Sequence, residues 1–179
     1  MSLKFTIKEI TEAALLIALA VVLGYFEIPL PLGGVTLALV PVFLIALRNT
    51  PLKTFIFVGI VYGLIDCLLD GYGFMTFPLE YLVALGSSFI VSLFRTKLFN
   101  HEKNVGIEIT YVVISVLIVT IIRFICSTID GVLIYEATFV ESMTLNAPNI
   151  FLDGGFTLVV LLLIYFPLRQ LNVNRYLEK

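Results

Sequence analysis

From Ile109 to Ile122 the chain carries no charged residue, and only Arg123 interrupts the apolar run before it continues to Ile129. In hydrocarbon a backbone must satisfy its own polar groups, which a helix does within one segment. A spanning helix takes about 20 mostly apolar residues. The remainder of the chain offers no alternative, because only 13% of its residues are charged and its mean hydropathy is +1.08. A soluble domain needs roughly a quarter of its residues charged to cover its surface. We therefore expect an all-α membrane protein, a single integral-membrane domain over residues 1–179.

Six apolar segments are long enough to consider as spans, the second of them short. They run from about Ile10 to Phe26, Gly34 to Leu47, Leu52 to Leu69, Phe74 to Phe94, Val105 to Cys126 and Asn149 to Leu168. Pro41 in the second segment predicts a kink or a tilt. "PLPLGG", "RNTP" and "DGYG" mark the turns between segments. Lys4 and Lys8 before the first segment resemble the start of a signal peptide. No small-x-small cleavage pattern follows, so the expectation is a retained first helix.

Basic residues set the orientation, since cytoplasmic loops retain Lys and Arg. Ten of the 11 fall at alternate boundaries: Lys4 and Lys8, Arg48 and Lys53, Arg95, Lys97 and Lys103, then Arg169, Arg175 and Lys179. This pattern predicts six spans, both termini cytoplasmic, in the cell membrane. The acids run the other way. Glu27, Asp66, Asp70, Glu80, Asp130, Glu136, Glu141 and Asp153, eight of 13, map to the outer loops or outer helix ends.

Charge inside a span costs roughly 2.5–3.5 kcal/mol on insertion scales, so it normally faces a cavity or a partner. Arg123, Ser127 and Asp130 are spaced i, i+4, i+7 and share one stripe if the fifth helix continues. Arg123 reads first as half of a structural ion pair with a nearby carboxylate, Asp130 on its own stripe. Beyond that, the stripe reads as one wall of an outward-facing, negatively charged cup suited to a cationic or polar small molecule. Glu80 has no basic residue in its own segment, and Asp66 and Asp153 also lie inside spans. Phe74, Phe77, Tyr81 and Tyr135 are placed to stack on a flat ring or cation, although aromatics at this depth also serve as interface belts.

Other chemistry is weakly supported. Cys67 and Cys126 sit in apolar segments without CxxC spacing and read as buried thiols. The single histidine, His101, falls in a cytoplasmic loop, away from any serine it would activate. Asp66, Asp70 and Glu80 are the one set of acids to consider for a divalent ion, with no ligand spacing to recommend them. No GxxxxGK[ST] loop is present, so the chain does not use a nucleotide in the P-loop manner. A cup without a motor suggests a non-enzymatic subunit that needs no cofactor of its own. Ala14 and Ala18, four apart on the first helix, permit close approach by another helix, either within the bundle or from a partner.

These residues resemble the substrate-binding S components of energy-coupling-factor (ECF) vitamin transporters, and the thiamine-specific members most. The likeness extends over nearly the whole chain. It is carried by "PLEYLVA" around Glu80 and Tyr81, by "RFICSTIDGVLIY" from Arg123 to Tyr135, and by the Ala14/Ala18 spacing. Thiamine binders have a similar Glu-Tyr pair, and an Arg-aromatic-x-x-His-x-x-x-Gly-Val-x-x-Trp run. Here Ser127 stands at the histidine, Tyr135 at the tryptophan, and Asp153 at the family's helix-six asparagine. The chain contains no Trp.

The resemblance implies a vitamin-capture subunit for thiamine or a related heteroaromatic cation, working with a transmembrane coupling subunit and two ATPases that hydrolyse the ATP. It implies that Glu80 faces the ligand's positive or donating group and that Tyr81 and Tyr135 stack or hydrogen-bond. Ser127 and Asp153 would read polar edges, Asp66 would add charge, and Ala14 and Ala18 would dock on the coupling subunit. The alternatives are an S component for a hydroxymethylpyrimidine- or pyridoxine-like vitamin, or a stand-alone cation permease.

Overall fold

The computed structural model describes residues 4–30, 33–98 and 105–177. His101, Lys103 and Lys179 therefore lie outside the described residues. Helix α1 (Ile7–Tyr25) begins at a capping box: Thr6 accepts from Glu9 N at 3.2 Å, and Glu9 accepts from Thr6 N at 2.8 Å. Its inner face, Ala13, Ile17 and Ala20, is buried, whereas Ala14 and Ala18 point outward. The alanine pair is thus turned away from the bundle interior.

A two-stranded antiparallel hairpin follows, β1 (Ile28–Leu30) and β2 (Gly33–Val35), pairing Ile28 with Val35. It takes the start of the second apolar segment, leaving a ten-residue helix α2 (Leu39–Arg48). Pro41 lies in the first turn of α2, where its missing N–H has no helical partner to lose, so the kink expected there has no cause.

Helix α3 (Pro51–Asp70) starts with Pro51 in its first turn after Thr50. Helix α4 starts at Phe74–Thr76 and runs to Leu98, its stretch Phe74–Arg95 being long and apolar enough to span. Both contain wide π-helical turns, Phe55–Tyr62 and Phe77–Leu85. The two meet backbone to backbone at Gly59 and Gly86. A Cβ on Gly59 would stand 3.0 Å from Gly86 Cα, and one on Gly86 would stand 2.9 Å from the Phe55 ring. That approach puts the turn bearing Glu80 and Tyr81 directly against α3, and π-helical turns often occur at functional sites.

Helix α5 (Val105–Leu133) continues seven residues beyond the expected Cys126, keeping Arg123, Ser127 and Asp130 on one helix. Helix α6 (Phe139–Leu177) departs furthest from expectation. It begins ten residues before Asn149, at a second capping box in which Thr138 accepts from Glu141 N at 3.3 Å and Glu141 accepts from Thr138 N at 3.0 Å. Pro148 lies inside it without ending it, and the Asn149 side-chain amide donates to the Leu145 carbonyl at 3.2 Å.

Among the described residues four helices are long and apolar enough to cross a membrane, α3, α4, α5 and the Phe139–Tyr165 part of α6. The core is apolar and close-packed around Phe43, Ile45, Val58, Val116 and Val119. The outer surface is apolar as well, with Leu15, Leu68, Met75, Leu117 and Leu163 exposed. A surface of that kind faces lipid. The chain is a multi-pass membrane protein.

Candidate functional site

Four helices and the hairpin enclose a cavity of about 490 Å³, within the range of small-ligand sites. Each wall comes from one element. Helix α3 contributes Asp66 and, one turn on, Asp70; α4 contributes Thr76, Glu80 and Tyr81. Helix α5 contributes Arg123, Ser127 and Asp130, with Tyr135 just past its end. Helix α6 contributes Ser142, Asn146, Asn149 and Asp153, and the hairpin side contributes Gly34 and Thr36.

All six residues singled out from the sequence as ligand-binding candidates, Asp66, Glu80, Tyr81, Ser127, Tyr135 and Asp153, line this one space. Phe74 and Phe77 do not; they stack on each other with centroids 5.2 Å apart. Tyr135 instead meets Tyr72 edge to face at the rim, centroids 6.4 Å apart. Tyr135 lies outside the spans. Burial first, and then the Asp130 carboxylate, push its phenol above the ordinary tyrosine range, so it stays protonated and able to donate.

Two polar links fix the interior. The Ser127 hydroxyl lies 2.6 and 2.8 Å from the two Glu80 oxygens and donates to that carboxylate, joining α5 to α4. Asp153 accepts from Arg123 Nη1 at 3.1 Å and from the Thr36 backbone N–H at 3.0 Å, with the Thr36 hydroxyl at 3.4 Å. One carboxylate therefore ties α5, α6 and the chain leaving the hairpin. The ion pair expected between Arg123 and Asp130 forms with Asp153 instead. Seven residues along one helix separate Arg123 from Asp130 by about 10 Å of rise, whereas Asp153 comes across from α6 at the same level.

Among the described residues Asp130 is left without an ion pair. It is 4% exposed, and its Oδ1 is buried with no hydrogen-bond partner. With Arg123 engaged, the lining holds five carboxylates, Asp66, Asp70, Glu80, Asp130 and Asp153, against one guanidinium. The surplus is negative. Among the described residues no group of three His, Cys, Asp or Glu side chains converges as a metal site would. The chemistry on offer is recognition of a cation or a multiple hydrogen-bond donor in a half-apolar cleft.

The stripe on α6 went unread in the sequence. Ser142, Asn146, Asn149 and Asp153 repeat at i, i+4, i+7, i+11, a helical period, but the expected sixth segment begins only near Asn149, past the first two of them. Asn146 donates to the Ser127 carbonyl at 3.2 Å and Ser142 to the Thr128 carbonyl at 2.9 Å, so the stripe also fastens α6 to α5. Thr36, Tyr72 and Thr76 had no periodic signal to expose them.

Residues 10–175 match the family model described as "Thiamine transporter protein (Thia_YuaJ)". The chain belongs to that family. As a member of the thiamine transporter family it is a transport protein and not an enzyme. The solved structure of ThiT from Listeria monocytogenes is similar in fold, with a TM-score of 0.76 at 16% identity, covering 89% of this chain and 93% of that one. No curated protein matches.

Proposed function

We propose that this thiamine transporter family member is the substrate-binding S component of an ECF-type importer, which captures thiamine or a related heteroaromatic cation outside the cell. The observation that carries the reading is that Glu80, with Ser127 donating to it, Tyr81 and Asp66 line one cavity whose surplus charge is negative. A cationic ring supplies there the countercharge that the carboxylates lost on leaving water. In this reading Glu80 meets the ligand's positive or donating group, and Tyr81 and Tyr135 flank the ring. Ser127 and the polar stripe of α6 read its edges, while Asp153 and Arg123 hold the walls together.

The wider arrangement follows from the basic residues. Six spans with both termini in the cytoplasm place the acid-lined cavity at the outer face, with α2 the shortest crossing. Transport then requires a coupling subunit and two ATPases, with Ala14 and Ala18 facing outward to meet the coupling subunit. The test is thermal stability of the detergent-purified protein against a vitamin panel that includes thiamine, with calorimetry on hits. A ligand at 1,000 times its Kd adds about 4 kcal/mol. A thiamine hit supports the reading, and a hit only with a pyrimidine or pyridoxine-like compound moves the substrate. Silence across the panel from folded protein overturns it and leaves the permease reading, which requires cation flux through this chain alone in liposomes.

A further inference from the structure

The carboxylates of the cavity differ in how they are satisfied. Glu80 is hydrogen-bonded by Ser127, and Asp153 by Arg123 and Thr36. Asp130 lies about one turn beyond Ser127 on α5, toward Tyr135 just past the helix end. Asp130 is more than nine-tenths buried and its Oδ1 has no hydrogen-bond partner among the described residues, although it lines the cavity. A buried carboxylate without a partner is costly. Among the described residues the cavity lining holds one cation, Arg123, and its ion pair is with Asp153.

We infer that Asp130 forms a second, outer subsite of this cavity, which takes a cationic or multiply donating group on a flat ring beside the Tyr72–Tyr135 pair. This rests on the binding reading above and narrows it. The ligand presents donors or positive charge at two points, one toward Glu80 and one toward Asp130, about one helical turn beyond the Ser127 that holds Glu80. An anionic tail, such as a phosphate ester, meets an unpaired carboxylate at the mouth and is disfavoured. The edge-to-face tyrosines add a ring face and a phenol donor on the same side.

The experiment uses the full-length protein in detergent, with Asp130→Asn, Asp70→Asn and wild type compared by calorimetry and thermal shift. The probes are thiamine, thiamine monophosphate and N-methylpyridinium, a flat monocation. Asp130→Asn keeps the shape and removes the charge, and without ligand it should melt no lower than wild type, because an unpaired buried charge has gone. Its thiamine affinity should fall about tenfold, equivalent to 1.4 kcal/mol, and the preference for thiamine over its monophosphate should shrink. Asp70→Asn, at an exposed site, should cost less, and its effect should fade as salt is raised. The Asp130→Asn loss should persist in salt.

Equal thiamine affinity in wild type and Asp130→Asn sinks the subsite and leaves the vitamin reading standing. Equal, salt-sensitive losses in the two variants also sink it, since that is a diffuse field and not a contact. Stabilisation of wild type but not Asp130→Asn by N-methylpyridinium, with thiamine inert, keeps the subsite and removes thiamine as the ligand. If no probe binds folded wild type, both readings fall. Should Asp130→Asn fail to fold, Asp130→Ser carries the same comparison.

Discussion

Glu80 and Asp153 are both carboxylates inside spans, yet their partners give them different work. Glu80 has one hydroxyl donor, from Ser127, and remains open to the cavity. Glu80→Gln keeps the shape and the hydrogen bond while removing the charge, so ligand affinity should drop at least tenfold, about 1.4 kcal/mol. Calorimetry with an unchanged Kd in that variant would remove Glu80 from the site. Asp153 is 8% exposed and has its oxygens committed to Arg123 and Thr36. Asp153→Ala strands the guanidinium, and the loss from breaking a buried pair is about 3–5 kcal/mol. Thermal unfolding should show that loss without ligand. The Arg123→Met/Asp153→Leu double variant should recover most of it, because no charge is then left unpaired. If the double variant melts as low as the single, the cost lies in the freed Thr36 contact and not in the charge.

At the scale of elements, the helix ends carry signals that the apolar runs do not. Thr6-x-x-Glu9 and Thr138-x-x-Glu141 are both capping boxes, and both helices begin there. Glu9 does double duty, because its carboxylate also meets Lys53 Nζ at 2.6 Å and so ties α1 to α3. The Lys53 hydrogen bond first, then the Thr6 backbone, hold its carboxyl down at about 2, against an ordinary 4.5. The folded pKa is depressed, so the stabilisation is complete above the unfolded pKa and is lost as pH falls from about 4.5 toward about 2. The Glu9 side chain is 30% exposed, and solvent screening keeps the contribution small, about 1 kcal/mol. Glu9→Gln should lower stability by about that much near neutrality, and the difference from wild type should shrink as the pH is lowered through this window. A difference that grows on acidification would show the link to be mis-assigned.

For the whole molecule, the proposed function would put ligand capture and docking on separate surfaces, with Ala14 and Ala18 turned outward. The pair is exposed on α1, away from the cavity lining. Replacing both with Leu should leave ligand affinity and melting temperature within a small margin, because no core contact is displaced. It should abolish uptake in cells supplying the coupling subunit and ATPases, since a bulky side chain holds helices apart where small ones let them touch. Normal uptake by this double variant would move the docking surface elsewhere.

Sequence alone determined the membrane class, the family, the continuous stripe of Arg123, Ser127 and Asp130, and the set of carboxylates around Glu80. Those follow from composition, from helical period and from short motifs, all of which are local in the chain. It failed at two helix starts: the apolar run begins the sixth helix near Asn149 although a capping box and a polar stripe extend it back to Phe139, and Pro41 suggested a kink that its first-turn position removes. Only the tertiary structure decided which acid Arg123 takes. Pairing is a matter of distance across helices, and residue 153 is nearer than residue 130 although it lies much further along the chain. That one choice ties α5 to α6 and leaves Asp130 buried without an ion pair among the described residues, because about 10 Å of rise along α5 separates it from Arg123.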